Sequence, residues 1–235
     1  MGTVVLLRHA RSTANGAGVL AGRSPGVELD SSGRDQADAL VARLTDVPLA
    51  EIVCSPLQRC RQTVTPIAGA RGLEPVIEDR LSEVDYGAWT GRELKDLFKE
   101  KLWSVVQQHP SAAVFPDGEG LATVQTRAVA AVREHDARIT AAHGPGAVWL
   151  LCSHGDVLKA LLADALGQHL DSFQRIVVNP ASVSVVQYTD TRPFVLRMND
   201  NGGELASIVP PAPKAGEDDP PASDAVPGGA TGKSA

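Results

Sequence analysis

The sequence has 235 residues, of which 43% are hydrophobic and 21% are charged, which is not the composition of a disordered, collagen-like or disulfide-scaffold chain. The 22 Lys and Arg residues against 28 Asp and Glu residues give a formal net charge of −6, which argues against nucleic acid or an anionic membrane as a partner. No segment approaches the roughly 18 apolar residues of a membrane helix, and the N-terminus reads as a strand and not as a signal peptide. Three cysteines without a signal peptide indicate reduced thiols and a cytoplasmic protein.

Short apolar runs alternate with amphipathic runs along the chain, and the alternation predicts the order of the secondary-structure elements. In chain order the patterns predict a strand at 4–7, a loop to residue 25, a helix capped by Ser31 or Ser32, a strand at 52–54, a helix from Pro56 to Arg71, a strand at 75–77, one or two helices between residues 90 and 108, a helix at 119–143, a strand at 147–152, a helix at 156–166, and two strands at 183–188 and 194–197. Buried strands that each lead into a helix indicate an α/β fold, a three-layer α/β/α sandwich with a mostly parallel central sheet.

The last 26 residues differ in composition from the rest of the chain. Residues 210–235 contain six prolines, four glycines and six alanines, and only one mid-sized apolar side chain, Val226. Such a segment buries too little apolar surface to offset the entropy lost on ordering. We therefore expect one catalytic domain at residues 1–209 and a disordered tail at residues 210–235.

Candidate functional side chains follow three of the predicted strands. The strand at residues 4–7 runs into Arg8 and His9, the strand at 147–152 runs into His154, and Arg59 follows the strand at 52–54. Sites in parallel α/β folds lie beyond the carboxyl ends of the strands, so these four side chains should converge if the strands are neighbours. Two guanidinium groups and two imidazoles would form a compact pocket for a phosphate dianion, and a neutral imidazole can attack phosphorus.

Four segments together resemble the histidine phosphatase superfamily, in its phosphoglycerate mutase-like branch (branch 1). They occur in the order of that family and lie on the expected elements, and the resemblance spans roughly residues 3–197. The segments are LRHARSTAN at 7–15, SPLQRCRQT at 55–63, LSEVDYGAWTG at 81–91 and SHG at 153–155.

The resemblance implies a role for each matching residue. His9 would be the nucleophile that forms a phosphohistidine, while Arg8, Arg59 and His154 would hold the phosphoryl oxygens. Glu83 would protonate the leaving oxygen and then activate water. No metal and no cofactor is implied, because the arginines neutralise the charge; a Cys152, His154 and Cys54 metal site lacks paired spacing.

Six further residues are predicted to contact the substrate, and three nearby positions raise questions. Ala10 stands where the family usually has glycine, Arg11 has no assigned partner, and Asp85 competes with Glu83 as the acid. The predicted substrate-binding residues are Ser12, Asn15, Gly22, Arg23, Ser153 and Gly155.

The function favoured by the sequence is hydrolysis of a small phosphorylated metabolite, by an acid phosphatase with a weakly acidic to neutral optimum. The cofactor-dependent mutases of the branch carry a basic stretch after the acid motif, whereas the charges between Arg92 and Asp117 cancel. The YGAWTG segment is also more similar to the phosphatase members. A phosphomutase is the main alternative, and a non-catalytic phosphate-binding protein is a second. The resemblance is also compatible with a homodimer.

Overall fold

The computed structural model describes residues 1–203 and 226–229, and within them six strands form one mixed sheet. The sheet order is β3-β2-β4-β1-β5-β6, so the first and fourth strands lie side by side at its centre. Strands β1, β2, β3 and β4 run parallel, and β5 and β6 add an antiparallel edge. The strand bounds are β1 Thr3–Arg8, β2 Leu49–Cys54, β3 Val76–Ile77, β4 Val148–Ser153, β5 Val183–Gln187 and β6 Phe194–Asp200.

The described residues form seven α-helices, four of which cover the two faces of the sheet. Side chains alternate across the central strands, so that Leu7 and Leu150 face one layer while Leu6 and Leu151 face the other. Helices α2 and α3 pack on the first face, and α6 and α7 pack on the second. The predicted three-layer α/β/α sandwich is therefore confirmed. The helices are α1 Thr13–Ala17, α2 Ser31–Arg43, α3 Gln58–Arg71, α4 Leu94–Leu97, α5 Lys101–Gln108, α6 Leu121–His143 and α7 Gly155–Ala165.

Parallel pairing aligns the ends of three strands that precede candidate functional residues. Arg8 of β1 is opposite Ser153 of β4, and Cys54 of β2 is opposite Cys152 of the same β4. The segments that follow these strands consequently leave the sheet along one edge. This register brings the chemistry-bearing residues into one place.

Three local predictions differ from the structure. The loop expected before residue 25 contains helix α1, and the carboxylate of Asp30, not Ser31 or Ser32, caps α2 by accepting a hydrogen bond from the Gly33 amide. Helix α3 begins two residues after Pro56, at Gln58. An acidic N-cap is a stronger acceptor than a serine hydroxyl for the unpaired amides of a first helical turn, which explains the second difference.

The predicted disordered tail lies mostly outside the described residues. Only residues 226–229 of it are described, and they form a turn closed by a 2.8 Å hydrogen bond from the Gly229 amide to the Val226 carbonyl. The predicted boundary at residue 209 and the disorder of the remainder therefore stay predictions. Within the described residues no helix is both long and apolar enough to cross a membrane.

Candidate active site

The edge formed by the ends of β1, β2 and β4 brings the predicted residues together. His9 follows β1, Arg59 lies in the first turn of α3, and His154 precedes α7. The ring centroids of His9 and His154 are 5.2 Å apart, and Arg59 Nε lies 3.3 Å from His9 Nε2. With Arg8, all four side chains are at most 3% exposed. The predicted convergence is what the sheet register produces.

The hydrogen bonds of His9 define its tautomer. His9 Nδ1 lies 2.7 Å from the Ala10 carbonyl, which can only accept, so Nδ1 carries the proton. Nε2 then holds a lone pair, which accepts the hydrogen bond from Arg59 Nε. Burial, and then the charges of Arg59 and Arg8, hold the pKa of His9 well below its usual value, so the ring is neutral at pH 7. A neutral imidazole with a lone pair facing a cavity is a potential nucleophile.

Two buried guanidinium groups supply the positive charge of the site. Arg8 donates from Nη1 to the Val178 carbonyl at 2.7 Å, and Arg59 donates from Nη2 to the Gly22 carbonyl at 2.8 Å. Burial lowers the pKa of Arg8 to about 10, so its side chain still carries its charge at neutral pH. These carbonyl contacts fix both side chains and leave the site cationic, as an anion requires.

His154 is held by a hydroxyl and a thiol from the end of β2 and the start of α3. Its Nε2 lies 2.8 Å from Ser55 Oγ and 3.4 Å from Cys60 Sγ. Burial, followed by the charges of Arg59, His9 and Arg8, lowers the pKa of His154 well below its usual range. As the residue before α7, it stands where the unpaired amides of that helix begin.

Glu83 is the acid that the structure places at the pocket. Its side chain is 3% exposed, and its Oε1 accepts a hydrogen bond from the Val84 amide at 3.0 Å. Burial, and then the carboxylate of Asp156, raise the pKa of Glu83 to about 7. The competing acid, Asp85, turns its Oδ1 to the Gly87 amide and does not line the cavity. Glu83 is therefore the carboxyl group that can exchange a proton near neutral pH.

The backbone of the acid-bearing segment is held by ionic contacts from other elements. Arg23 Nε donates to the Glu83 carbonyl at 2.8 Å, and Arg127 Nη2 donates to the same oxygen at 3.3 Å. The carboxylate of Glu119 pairs with both arginines and accepts the Asp85 amide. These contacts fix the position of the acid from behind the pocket.

Close backbone packing fixes the same segment a few residues later. Gly87 has φ +49°, and a Cβ there would lie 2.0 Å from the Pro116 carbonyl oxygen. Only glycine permits this approach of the two loops.

The cavity has a volume of about 30 Å³, and its lining tests the predicted substrate contacts. Ser12, Asn15 and Gly22 line it, and Ser12 and Asn15 also form a capping box at the N-terminus of α1. Arg23, Ser153 and Gly155 do not line it, and neither do Arg8 and His154. Arg23 binds the acid segment from behind, and Ser153 Oγ donates to the Leu81 carbonyl at 2.7 Å. Gly155 lies against the Gly228 carbonyl oxygen. The lining residues are His9, Ser12, Asn15, Val19, Leu20, Ala21, Gly22, Arg59, Glu83, Tyr86, Leu94, Pro227, Gly228 and Gly229.

The sequence reasoning missed a buried polar group behind Glu83. Tyr86 Oη donates to Asp156 Oδ2 at 2.8 Å, and Lys159 Nζ lies 3.4 Å from Asp156 Oδ1. All three side chains are buried. The signal in the sequence was the Asp-x-x-Lys spacing at the start of a mostly apolar helix, directly after the SHG segment.

The structure gives partners to Arg11 and Ala10, two residues that the sequence left unexplained. Arg11 forms an ion pair with Asp30 at 2.5 Å, which ties the first loop to the start of α2. Ala10 is fully buried, and its amide donates to Thr63 Oγ1 at 2.9 Å. Within residues 1–203 and 226–229, no group of three or more His, Cys, Asp or Glu side chains is arranged to hold a metal ion.

A parallel α/β sandwich with a buried cationic pocket, a neutral imidazole and a high-pKa carboxyl group defines a class of phosphoryl-binding proteins. Within that class the chain belongs to the histidine phosphatase superfamily (branch 1), whose family model matches residues 4–201. This confirms the family predicted from the four segments, and with it the predicted class of enzyme, a histidine phosphatase.

Similar proteins include both phosphatases and mutases. Phosphoserine phosphatase 1 of Hydrogenobacter thermophilus is 32% identical over 199 residues, covering 83% of this chain and 91% of that protein. A probable phosphoglycerate mutase, GpmB of Yersinia enterocolitica, is 29% identical over 213 residues, covering 89% and 96%. The crystal structure of the α-ribazole phosphatase of Shigella flexneri superposes with a TM-score of 0.74 at 25% identity, covering 85% of this chain and 96% of that one.

Proposed function

We propose that the protein is a phosphomonoesterase that hydrolyses a small phosphorylated metabolite through a phosphohistidine at His9. The observation that carries the proposal is the pairing of two groups on one cavity. His9 Nε2 is unprotonated, with its lone pair held only by the 3.3 Å hydrogen bond from Arg59 Nε, and Glu83 has a pKa of about 7 on the same cavity. Pure phosphate binding would need neither a nucleophile nor an acid.

In the first step, His9 Nε2 attacks phosphorus and the bond to the leaving oxygen breaks. Arg8 and Arg59 hold the phosphoryl oxygens and offset the charge of the transition state, with His154 beside them. Glu83 gives its proton to the leaving oxygen, so that the product departs as an alcohol. The proton on His9 Nδ1 remains shared with the Ala10 carbonyl, which supports the ring as positive charge develops on it.

In the second step, a water molecule attacks the phosphohistidine. Glu83, now ionised, accepts a proton from that water, and the bond between phosphorus and His9 Nε2 breaks to release inorganic phosphate. The carboxyl group returns to its protonated form. A group with a pKa of about 7 serves both steps near neutral pH, and this supports the predicted acidic to neutral optimum.

The substrate class is argued from the relatives and from the pocket. The two phosphatases among the similar proteins are named for phosphoserine and α-ribazole phosphate chemistry, which supports a small phosphoester here. Ser12 and Asn15 line the cavity, and the Gly155 amide lies at the start of α7, which supports our proposal that these residues contact the phosphate. A cytoplasmic location and a homodimer remain predictions.

A rapid-quench experiment with a ³²P-labelled phosphoester tests the covalent step. We expect an acid-labile phosphoprotein that is lost in His9→Ala together with turnover. His135→Ala, a half-buried histidine paired with Glu78 outside the pocket, is the matched control and should keep the label. Undiminished turnover in His9→Ala would rule the mechanism out.

The mutase alternative has its own observation, the 29% identical probable phosphoglycerate mutase. Incubation with 3-phosphoglycerate, with and without 2,3-bisphosphoglycerate, separates the two activities. We expect free phosphate from at least one member of a phosphoester panel and no isomerised phosphoglycerate. Isomerised product without free phosphate would replace the phosphatase proposal with the mutase.

A further inference from the structure

A short segment near the C-terminus lies inside the candidate active site. Pro227, Gly228 and Gly229 line the same cavity as His9 and Arg59. The Gly228 amide donates to Asp156 Oδ2 at 2.9 Å, across 72 positions of sequence. The composition of this part of the chain gave no reason to expect it at the catalytic residues.

The fit between the segment and the pocket depends on main-chain atoms. A Cβ added at Gly155 would lie 2.1 Å from the Gly228 carbonyl oxygen, so this carbonyl rests directly on the first residue of α7. A Cβ added at Gly229 would lie 2.8 Å from Arg8 Nη1. Gly228 and Gly229 also have φ angles of +77° and +82°, which favour glycine. The φ angles therefore disfavour a side chain at both positions, and at Gly229 the guanidinium of Arg8 also fills the space that a side chain would need.

The buried carboxylate of Asp156 anchors the segment. Asp156 is fully buried, and its Oδ2 accepts hydrogen bonds from Tyr86 Oη and the Gly228 amide. Hydrogen bonds to an ionised carboxylate are about twice as strong as neutral ones. The segment is thus held by a charge-assisted bond at the wall of the pocket.

With the segment in place, the cavity is too small for a phosphoester. Its volume of about 30 Å³ has room for only a few water molecules, each of which needs about 10–15 Å³, whereas ligand pockets are typically about 300–1,000 Å³. The segment also contacts Arg8 and Gly155, two of the residues assigned to the phosphoryl group. Substrate and segment therefore exclude each other.

We propose that the active-site pocket is a binding site for the chain's own main chain at residues 226–229, and that this segment competes with the phosphoester. The binding site stands on the contacts above, while its effect on turnover rests on the proposed function. A competitor that occupies the free enzyme divides the intrinsic Kd and KM by the fraction of molecules whose pocket is free, so both apparent constants rise while kcat is unchanged. The Kd for inorganic phosphate reports the same competition without any turnover.

The test compares the full chain with two variants that remove the segment from the pocket. The first variant ends at residue 209, and the second is Gly229→Val, whose side chain would meet Arg8. Gly203→Val is the matched control, because a Cβ at Gly203 meets no atom within 4 Å. The measurements are the Kd for inorganic phosphate by calorimetry, and KM and kcat on p-nitrophenyl phosphate.

We expect both variants to bind inorganic phosphate about tenfold more tightly than the full chain. A factor of about ten corresponds to one hydrogen bond to a charged group, here the bond by which the segment is held in the pocket. KM should fall by the same factor at constant kcat, and Gly203→Val should match the full chain. A synthetic peptide of residues 224–231 should weaken phosphate binding to the truncated chain at concentrations on the order of mM, the effective concentration of a tethered segment.

An unchanged Kd in both variants would overturn the proposal. Weaker phosphate binding after truncation would also overturn it, because the segment would then be closing over the ligand. Tighter phosphate binding without turnover on any phosphoester would leave this binding site standing and would defeat the proposed function instead.

Discussion

The two sides of the pocket are held by different kinds of structure. On the sheet side, His9 directly follows β1 and Arg59 lies in the first turn of α3, the helix that follows β2, so their positions depend on parallel strand pairing. On the opposite side, Glu83 lies in a segment with no strand or α-helix of its own, held by Arg23, Arg127 and close glycine packing. The reacting imidazole is therefore fixed by the core, whereas the acid is fixed by side-chain contacts that can be removed one at a time.

The sheet side should be the more sensitive to substitution, and Arg59→Lys tests it most strongly. Lysine keeps a positive charge but lacks the rigid planar fork whose Nε and Nη2 donate to His9 Nε2 and the Gly22 carbonyl. We expect kcat/KM to fall by about 10³-fold, the loss of one fixed donor to the transition state. The measurement is steady-state kinetics on p-nitrophenyl phosphate.

Arg61→Lys, an exposed arginine on the same helix, is the matched control and should leave kcat/KM unchanged. If Arg59→Lys kept its activity within a few-fold, the guanidinium would have no role beyond its charge, and the sheet side would not be the rigid half of the site.

The acid is tested by Glu83→Gln, which keeps the shape of the side chain and removes its proton. We expect kcat/KM to fall by about 10²-fold on alkyl phosphates and less on p-nitrophenyl phosphate, whose leaving oxygen needs no proton. In the unaltered enzyme Glu83 must be protonated, so kcat/KM should decrease by about tenfold per pH unit above a pKa of about 7. That limb should disappear from the pH profile of the variant.

Asp85→Asn controls for the neighbouring carboxyl group. Its side-chain oxygen can still accept from the Gly87 amide, so the turn is kept. We expect the limb near pH 7 to remain in this variant. A limb that disappeared with Asp85 and not with Glu83 would exchange the two assignments.

Removing the charge of Asp156, which lies behind the acid, should shift the alkaline limb of the pH profile without abolishing activity. Asp156 is the second cause, after burial, of the raised pKa of Glu83. Asp156→Asn removes the like charge, so the pKa of Glu83 falls and the alkaline limb moves to lower pH. The variant is made in the chain ending at residue 209, so that loss of the Gly228 contact does not contribute.

Asp164→Asn on the same helix serves as the control, since Asp164 pairs with Arg133 and no described contact joins it to Glu83. Its pH profile should match that of the parent chain. A limb that stayed in place in Asp156→Asn would assign the raised pKa of Glu83 to burial alone.

The residues on the sheet side were predictable from sequence because their positions depend on the strands that precede them. A continuous apolar run that ends in Arg8 and His9 has few alternatives, and parallel strands bring their carboxyl ends to one edge. Helix α1 escaped prediction because five residues without an apolar face leave only the cap of Ser12 and Asn15 as a signal. The cap of α2 at Asp30 was missed for a similar reason, since three adjacent residues could all cap it.

The opposite side of the pocket, the loop side that carries Glu83, was predictable only in part. The Glu83 motif was found, but the pairing of Tyr86 with Asp156 joins residues 70 positions apart, and no periodicity reports such a contact. The placement of Gly228 was missed because a low apolar content indicates only that few side chains can be buried, and it says nothing about contacts made by the main chain. The contacts of this segment use an amide and a carbonyl, which every residue carries.

The smallest expected effect concerns Glu119, whose contacts support the acid on the side of the pocket opposite the sheet. Glu119 lies outside the cavity lining and pairs with Arg23 and Arg127, the two residues that hold the Glu83 carbonyl. Glu119→Gln weakens both pairs, so we expect kcat/KM to fall by a few-fold and the free energy of unfolding by about 1 kcal/mol. Kinetics and urea unfolding measure the two effects separately.

Glu134→Gln, which breaks an exposed pair with Arg80, is the matched control and should change neither quantity. A fall in kcat/KM larger than the change in stability explains would assign Glu119 a positioning role, since a carbonyl displaced by even about 1 Å carries the acid with it. A loss of stability with unchanged kcat/KM would instead show that the acid holds its place without this pair, and the loop side would then be as firmly fixed as the sheet.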